Sequence, residues 1–86
     1  MYKLEFLPDA EVFYHRLYYS DRSHFERIKS ALASLSKDPF QGKALRDDFK
    51  GKYSFRVGFY RIIYTVSRGS FIVYVFNIGH RRDVYN

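Results

Sequence analysis

The chain has no cysteine, no tryptophan, only two prolines and a single methionine in 86 residues. Without cysteine, neither a disulfide nor a thiolate zinc site can hold the fold together. No apolar run approaches membrane-spanning length, and the opening Met1-Tyr2-Lys3-Leu4-Glu5-Phe6 lacks a signal-peptide pattern. The expectation is a soluble cytoplasmic protein without membrane contact. The sequence also lacks a Walker loop, a dinucleotide fingerprint, a zinc-ligand spacing and a Ser-His-Asp arrangement. No metal and no small-molecule cofactor are therefore expected. Repeats, linkers and low-complexity stretches are missing too, so residues 1–86 read as one domain.

Acid is scarce in one half. Residues 1–42 hold six Lys/Arg and six Asp/Glu, whereas residues 43–86 hold nine and three, which accounts for the whole net charge of +6. A basic half beside a neutral half implies a polyanion-facing surface joined to a structural part. What the chain has in quantity is aromatic: nine Tyr and nine Phe make 21% of the residues within an apolar total of 47%. Large rings bury much area per residue, which lets a small domain build a core.

Residues 2–6 alternate and read as a strand. Pro8, followed by Asp9 and Glu11, suits the first turn of a helix running to about Tyr19, with Ala10, Phe13 (or Tyr14) and Leu17 on one face. Ser20-Asp21 makes a joint. The Ser23-x-x-Glu26 pattern predicts a capping box for a second helix with the stripe Phe25, Ile28, Leu32, Leu35, ended by Asp38-Pro39. A short extended piece near Lys43-Ala44-Leu45 precedes strands at about Tyr53–Val57, Phe59–Ser67 and Ser70–Ile78, with turns at Gly58-Phe59 and Arg68-Gly69. Phe71–Phe76 is apolar on both faces, as a central or covered strand would be. The expected fold is α+β: an N-terminal strand, an antiparallel helical hairpin, then a three- to four-strand antiparallel meander.

If Gly58-Phe59 forms a two-residue turn, Arg56 faces Arg61 across the hairpin. Like charges so placed repel unless an anion separates them. With Tyr53, Phe55 and Val57 turned to the helices, Ser54, Arg56 and Arg61 belong to the open face. Gly79 would let the tail turn off the last strand and fold over that face, bringing His80, Arg81 and Tyr85 to the arginines. Cleaving an RNA strand without a metal needs a base for the 2′-hydroxyl, a cation for the crowded phosphorane and an acid for the leaving oxygen. Histidine, arginine and tyrosine can supply these. The same residues also fit plainer roles: a solvated arginine pair, a surface histidine, and a C-terminal anchor for Tyr85. Lys43, Arg46, Lys50 and Lys52 form a cluster that could track a phosphate backbone or only aid solubility. His15 and His24 fall on the helices, away from the basic half.

The order of elements resembles the RelE/ParE toxin superfamily. The residues that carry the likeness are Gly42-Lys43-Ala44-Leu45, Gly51–Tyr64 with its Arg56-Val57-Gly58-Phe59-Tyr60-Arg61-Ile62-Ile63-Tyr64 core, and the ending Gly79-His80-Arg81-Arg82-Asp83-Val84-Tyr85. The resemblance, nearest the RelE branch, implies a microbial-RNase-like fold and a type II toxin that cleaves mRNA in the ribosomal A site. It implies that Arg61 and Arg81 stabilise the transition-state phosphate with Arg56 assisting, that His80 transfers a proton, and that Tyr85 stacks on or orients a nucleotide. Lys43, Arg46, Lys50, Lys52 and Arg82 would hold the RNA. An acidic, RelB-like antitoxin would be the partner, beside the ribosome and mRNA. Ser54 departs from the pattern, since several active members carry a basic residue there. That keeps two alternatives in view: a ParE-like inhibitor of DNA gyrase, and a decayed module that binds RNA or antitoxin without cutting.

Overall fold

The computed structural model describes residues 1–80. Strand β1 (Lys3–Phe6) leads into helices α1 (Pro8–Ser20) and α2 (Arg22–Lys37), followed by β2 (Lys43–Ala44), a 3-10 turn (Asp47–Phe49), β3 (Tyr53–Val57), β4 (Tyr60–Ser67) and β5 (Ile72–His80). The strands form one sheet in the order β1-β5-β4-β3-β2. Among the described residues only β1 runs parallel to its neighbour; every other pairing is antiparallel. The apolar β5 thus lies inside the sheet, as its composition requires. Among the described residues no helix is long and apolar enough to cross a membrane.

The two helices cover one face of the sheet. Ala10 and Leu17 of α1 and Ile28, Leu32 and Leu35 of α2 meet Val57, Ile62, Tyr64, Val73, Val75 and Ile78, all buried. Tyr53 and Phe55 pack against the same core, so the apolar side of β3 faces the helices as its alternation predicts. Tyr64, wholly buried, carries a polar group into this core and satisfies it. Its hydroxyl donates to Pro39 O (2.9 Å) and accepts from Gly42 N (3.0 Å). A Cβ on Gly42 would overlap that hydroxyl, which is why glycine stands there.

The structure departs from the pattern reading in four places. Asp21, not Ser23, caps α2: its carboxylate accepts from His24 N, and Glu26 instead pairs with Arg22 at 3.0 Å. A single residue therefore ends one helix and starts the next. The β4–β5 connection takes four residues, with Phe71 at φ 55°, which delays β5 to Ile72. At its other end β5 does not stop at Ile78 but continues through Gly79 to His80, paired with β4 throughout. The fourth departure is a β-bulge: Ile63 pairs with Asn77 but Tyr64 with Val75, leaving Phe76 as the extra residue. A bulge shifts the phase of alternation beyond it. Val73 and Val75 point into the core, and after the bulge Ile78 does so in place of Asn77.

Candidate nucleic-acid interface

The hairpin forms as its sequence predicts. Gly58 takes φ 59°, the glycine-first kind of two-residue turn, and Arg56 pairs with Arg61. The two side chains then part. Arg61 is half-buried and its Nη1 donates to Ser54 Oγ at 2.9 Å, a diagonal contact across β3 and β4. Arg56 is exposed and turns toward the hairpin tip, where Nε donates to Gly58 O at 3.3 Å. Divergence relieves the repulsion that the register would otherwise impose.

Ser54 is buried (4% exposed), so its hydroxyl is spent on orienting a guanidinium. Lys52 reaches the same region, with Nζ 4.7 Å from the centre of the Phe76 ring. Thr65 Oγ1 donates to Gly51 O (2.7 Å) and ties the loop before β3 to β4. The face away from the helices thus presents a fixed guanidinium, an ammonium on an aromatic ring and the exposed Arg56 at its end. Lys43, Arg46 and Lys50 line the exposed edge beyond it, on β2 and around the 3-10 turn. Arg81, Arg82 and Tyr85 lie outside the described residues.

His80 falls on the other face. It pairs with Tyr60, two residues beyond the core pair Ile62–Ile78, so it shares the side of the sheet that the helices cover. Its ring lies 6.3 Å from that of Tyr60 and parallel to that of Phe59 at 6.4 Å. Together with Phe13, Arg16, Leu17 and Tyr60 it lines a cavity of about 590 Å³ between α1 and the strand ends. Instead of turning the chain off the strand, Gly79 sits opposite Arg61. The expected meeting of His80 with Arg56 and Arg61 therefore does not occur: β5 runs on through Gly79 where a turn was expected, and the bulge at Phe76 sets His80 on the helix side. With unbroken alternation from Val73, position 80 would face the arginine side.

A second polar cluster, unforeseen from sequence, joins α2 to the hairpin tip. His24 lies not away from the basic half but against it. Its Nδ1 is 2.8 Å from Asp21 Oδ2, which also accepts from the Tyr60 hydroxyl at 3.4 Å, and its Nε2 is 3.4 Å from Arg27 Nη1. The His24 ring lies 5.5 Å from Phe59 and 5.0 Å from Tyr60. The His24 backbone N–H, with its ring and the Tyr60 hydroxyl assisting, holds the Asp21 carboxyl below its ordinary pKa against the opposing effect of desolvation. Burial, then the Asp21 charge, pushes the Tyr60 hydroxyl up. The one sequence signal for this cluster is Asp21-x-x-His24, an N-cap spacing masked by the more familiar Ser23-x-x-Glu26.

Among known proteins, the family model of the ParE toxin of type II toxin–antitoxin systems (parDE) matches residues 4–85. Toxin RelG of Mycobacterium tuberculosis is 34% identical over 59 residues, covering 67% of this chain and 68% of that protein. The toxin–antitoxin complex RelBE2 of the same organism contains a chain 29% identical, with a TM-score of 0.71 and coverage of 93% and 98%. The YoeB/ParE toxin of Agrobacterium tumefaciens, 23% identical, has the same fold, with a TM-score of 0.82 over 91% of this chain and 96% of that one.

Proposed function

The chain belongs to the ParE toxin family of type II toxin–antitoxin systems, in the RelE-like branch of the superfamily, and from that premise we propose that it is a ribosome-dependent mRNA endonuclease. The observation that carries this reading is Arg61, half-buried, fixed by Ser54 and set in the basic half of the molecule. A guanidinium held in place before substrate arrives can stabilise charge that develops on a phosphate without reorganising during the reaction. In the proposed step the 2′-oxygen bonds to phosphorus, its proton passes to a base, and the bond to the 5′-oxygen breaks as that oxygen is protonated. The products are a 2′,3′-cyclic phosphate and a free 5′-hydroxyl. Arg61 and Arg81 neutralise the phosphorane, Tyr85 orients a nucleotide, and Lys43, Arg46, Lys50, Lys52 and Arg82 hold the strand. His80 could transfer a proton only if the end of β5 turned it toward Arg61.

The toxin domain in this reading is the whole of residues 1–86, acting in the cytoplasm. Its partner is an acidic, RelB-like antitoxin, in keeping with the net charge of +6 and with structural neighbours such as the Escherichia coli RelBE toxin–antitoxin complex. One observation favours a second reading. His80 lies on the opposite face from Arg61, which takes away the histidine whose place beside the arginines would set this chain apart from a ParE-like toxin that binds and blocks gyrase. Primer extension on an mRNA translated in a purified system separates the two. New 5′ ends that require ribosomes and vanish with Arg61→Ala support the endonuclease. Intact mRNA under verified translation, with loss of supercoiling by gyrase, supports the other.

A further inference from the structure

We infer that Arg27 and Arg56 form a second phosphodiester-binding groove at the hairpin tip, separate from Arg61, with Phe59 as the platform for the adjoining base. This deepens the RNA reading and rests on it. The groove, about 480 Å³, runs between α2 and the part of β3 beyond its short pairing with β2; Arg27, Ser30, Phe55, Arg56 and Gly58 are among its walls.

The two guanidinium groups converge on Gly58. Arg56 Nε donates to its carbonyl at 3.3 Å, and Arg27 Nη1 lies 2.9 Å from the place a Cβ on Gly58 would occupy. Only glycine leaves this space, and its positive φ holds the carbonyl in position. Neither arginine makes an ion pair among the described residues. Glu26 also lines the groove, but its carboxylate is paired with Arg22 (3.0 Å), and Asp21 is taken by His24 and Tyr60. His24 Nε2, 3.4 Å from Arg27 Nη1, restrains that side chain.

Two converging, uncompensated guanidinium groups fit one phosphate. Phe59 decides between an RNA strand and an acidic peptide. It is 62% exposed beside the groove, and an aromatic platform next to cations is the combination that binds single-stranded nucleic acid. The path runs from Arg61 on the open face, around the hairpin tip, to α2.

The test is fluorescence anisotropy with a labelled single-stranded oligoribonucleotide made non-cleavable by 2′-O-methylation, titrated over a range of salt. Arg27→Ala is expected to weaken binding about tenfold at low salt and to lower the salt slope by about 0.7, the share of one phosphate on a single strand. The Arg27→Ala/Arg56→Ala double variant should lose less than the product of the single effects, and Phe59→Leu should weaken binding without changing the slope. Unaltered affinity and slope in Arg27→Ala, with binding weakened in Arg61→Ala, would overturn the groove and leave the RNA reading standing. If the wild type binds no RNA, both fall. If Arg27→Ala loses binding of poly-glutamate but keeps RNA, the groove belongs to an acidic protein partner and the inference is wrong.

Discussion

Arg61 and Ile62 are neighbours in β4 that face opposite worlds. Ile62 is wholly buried beneath the helices, in a layer of side chains that fit one another. Arg61 lies half-buried on the other face, its fork held by one serine hydroxyl. The same strand turns Ile62 and Tyr64 into the helix-covered core and Arg61 to the opposite face, where its neighbour Ile63 is also buried. Under the proposed function, stability and activity fall to different side chains one peptide apart, so each can be disturbed alone.

The widest separation should come from Ile62→Ala, which leaves a hole in a closed core and should cost about 2–5 kcal/mol of unfolding free energy. Urea unfolding of the purified chain measures this; a loss below about 1 kcal/mol would mean that the helix face is loosely packed. Arg61→Ala should do the reverse. Cleavage should fall on the order of 100- to 1000-fold, equivalent to ~3–4 kcal/mol of barrier, with the unfolding midpoint almost unmoved. Wild-type cleavage rates in that variant would remove Arg61 from the site.

Tyr64→Phe should lie between the two in kind and below them in size. It abandons Pro39 O and Gly42 N inside the structure, at a cost of about 1–3 kcal/mol. A fully stable variant would show that the loop before β2 finds other partners.

The smallest effect is expected at Asp21 and depends on pH. Folded Asp21 binds its proton less readily than unfolded Asp21 does. The stability it contributes is therefore complete above the ordinary carboxylate pKa and disappears as pH falls through the lowered folded value. Melting temperatures of wild type and Asp21→Asn should differ at neutral pH and converge in acid. A gap that does not change with pH would mean that the cap, rather than its charge, is what matters.

Much of this division is legible in the sequence. The alternation Tyr53-Ser54-Phe55-Arg56-Val57 assigns β3 to its two faces, and Gly58-Phe59 specifies the turn that sets Arg56 opposite Arg61. The stripe Phe25, Ile28, Leu32, Leu35 gives α2 its buried side. What cannot be read is phase within β5. Ile72 to Phe76 are apolar without exception, so no polar residue marks which side is which, and nothing signals the extra residue at Phe76. The strand runs on through Gly79 where a turn was expected, and one unpaired residue sets His80 on the helix side of the sheet. The Ser54 contact was within reach, because a diagonal neighbour on the same face of a hairpin can always touch a long side chain. The link from His24 to the hairpin tip was not, because helix and hairpin are far apart in sequence and only the packed fold joins them.

Among the described residues the first strand and the last are partners: β1 lies beside β5 alone. The described sheet therefore cannot close before both segments have been made. The helical hairpin can form early from local contacts, but β1 must wait, without a mate, until residues 72–75 are available to it. Closure of the sheet is thus a long-range step that follows the local ones.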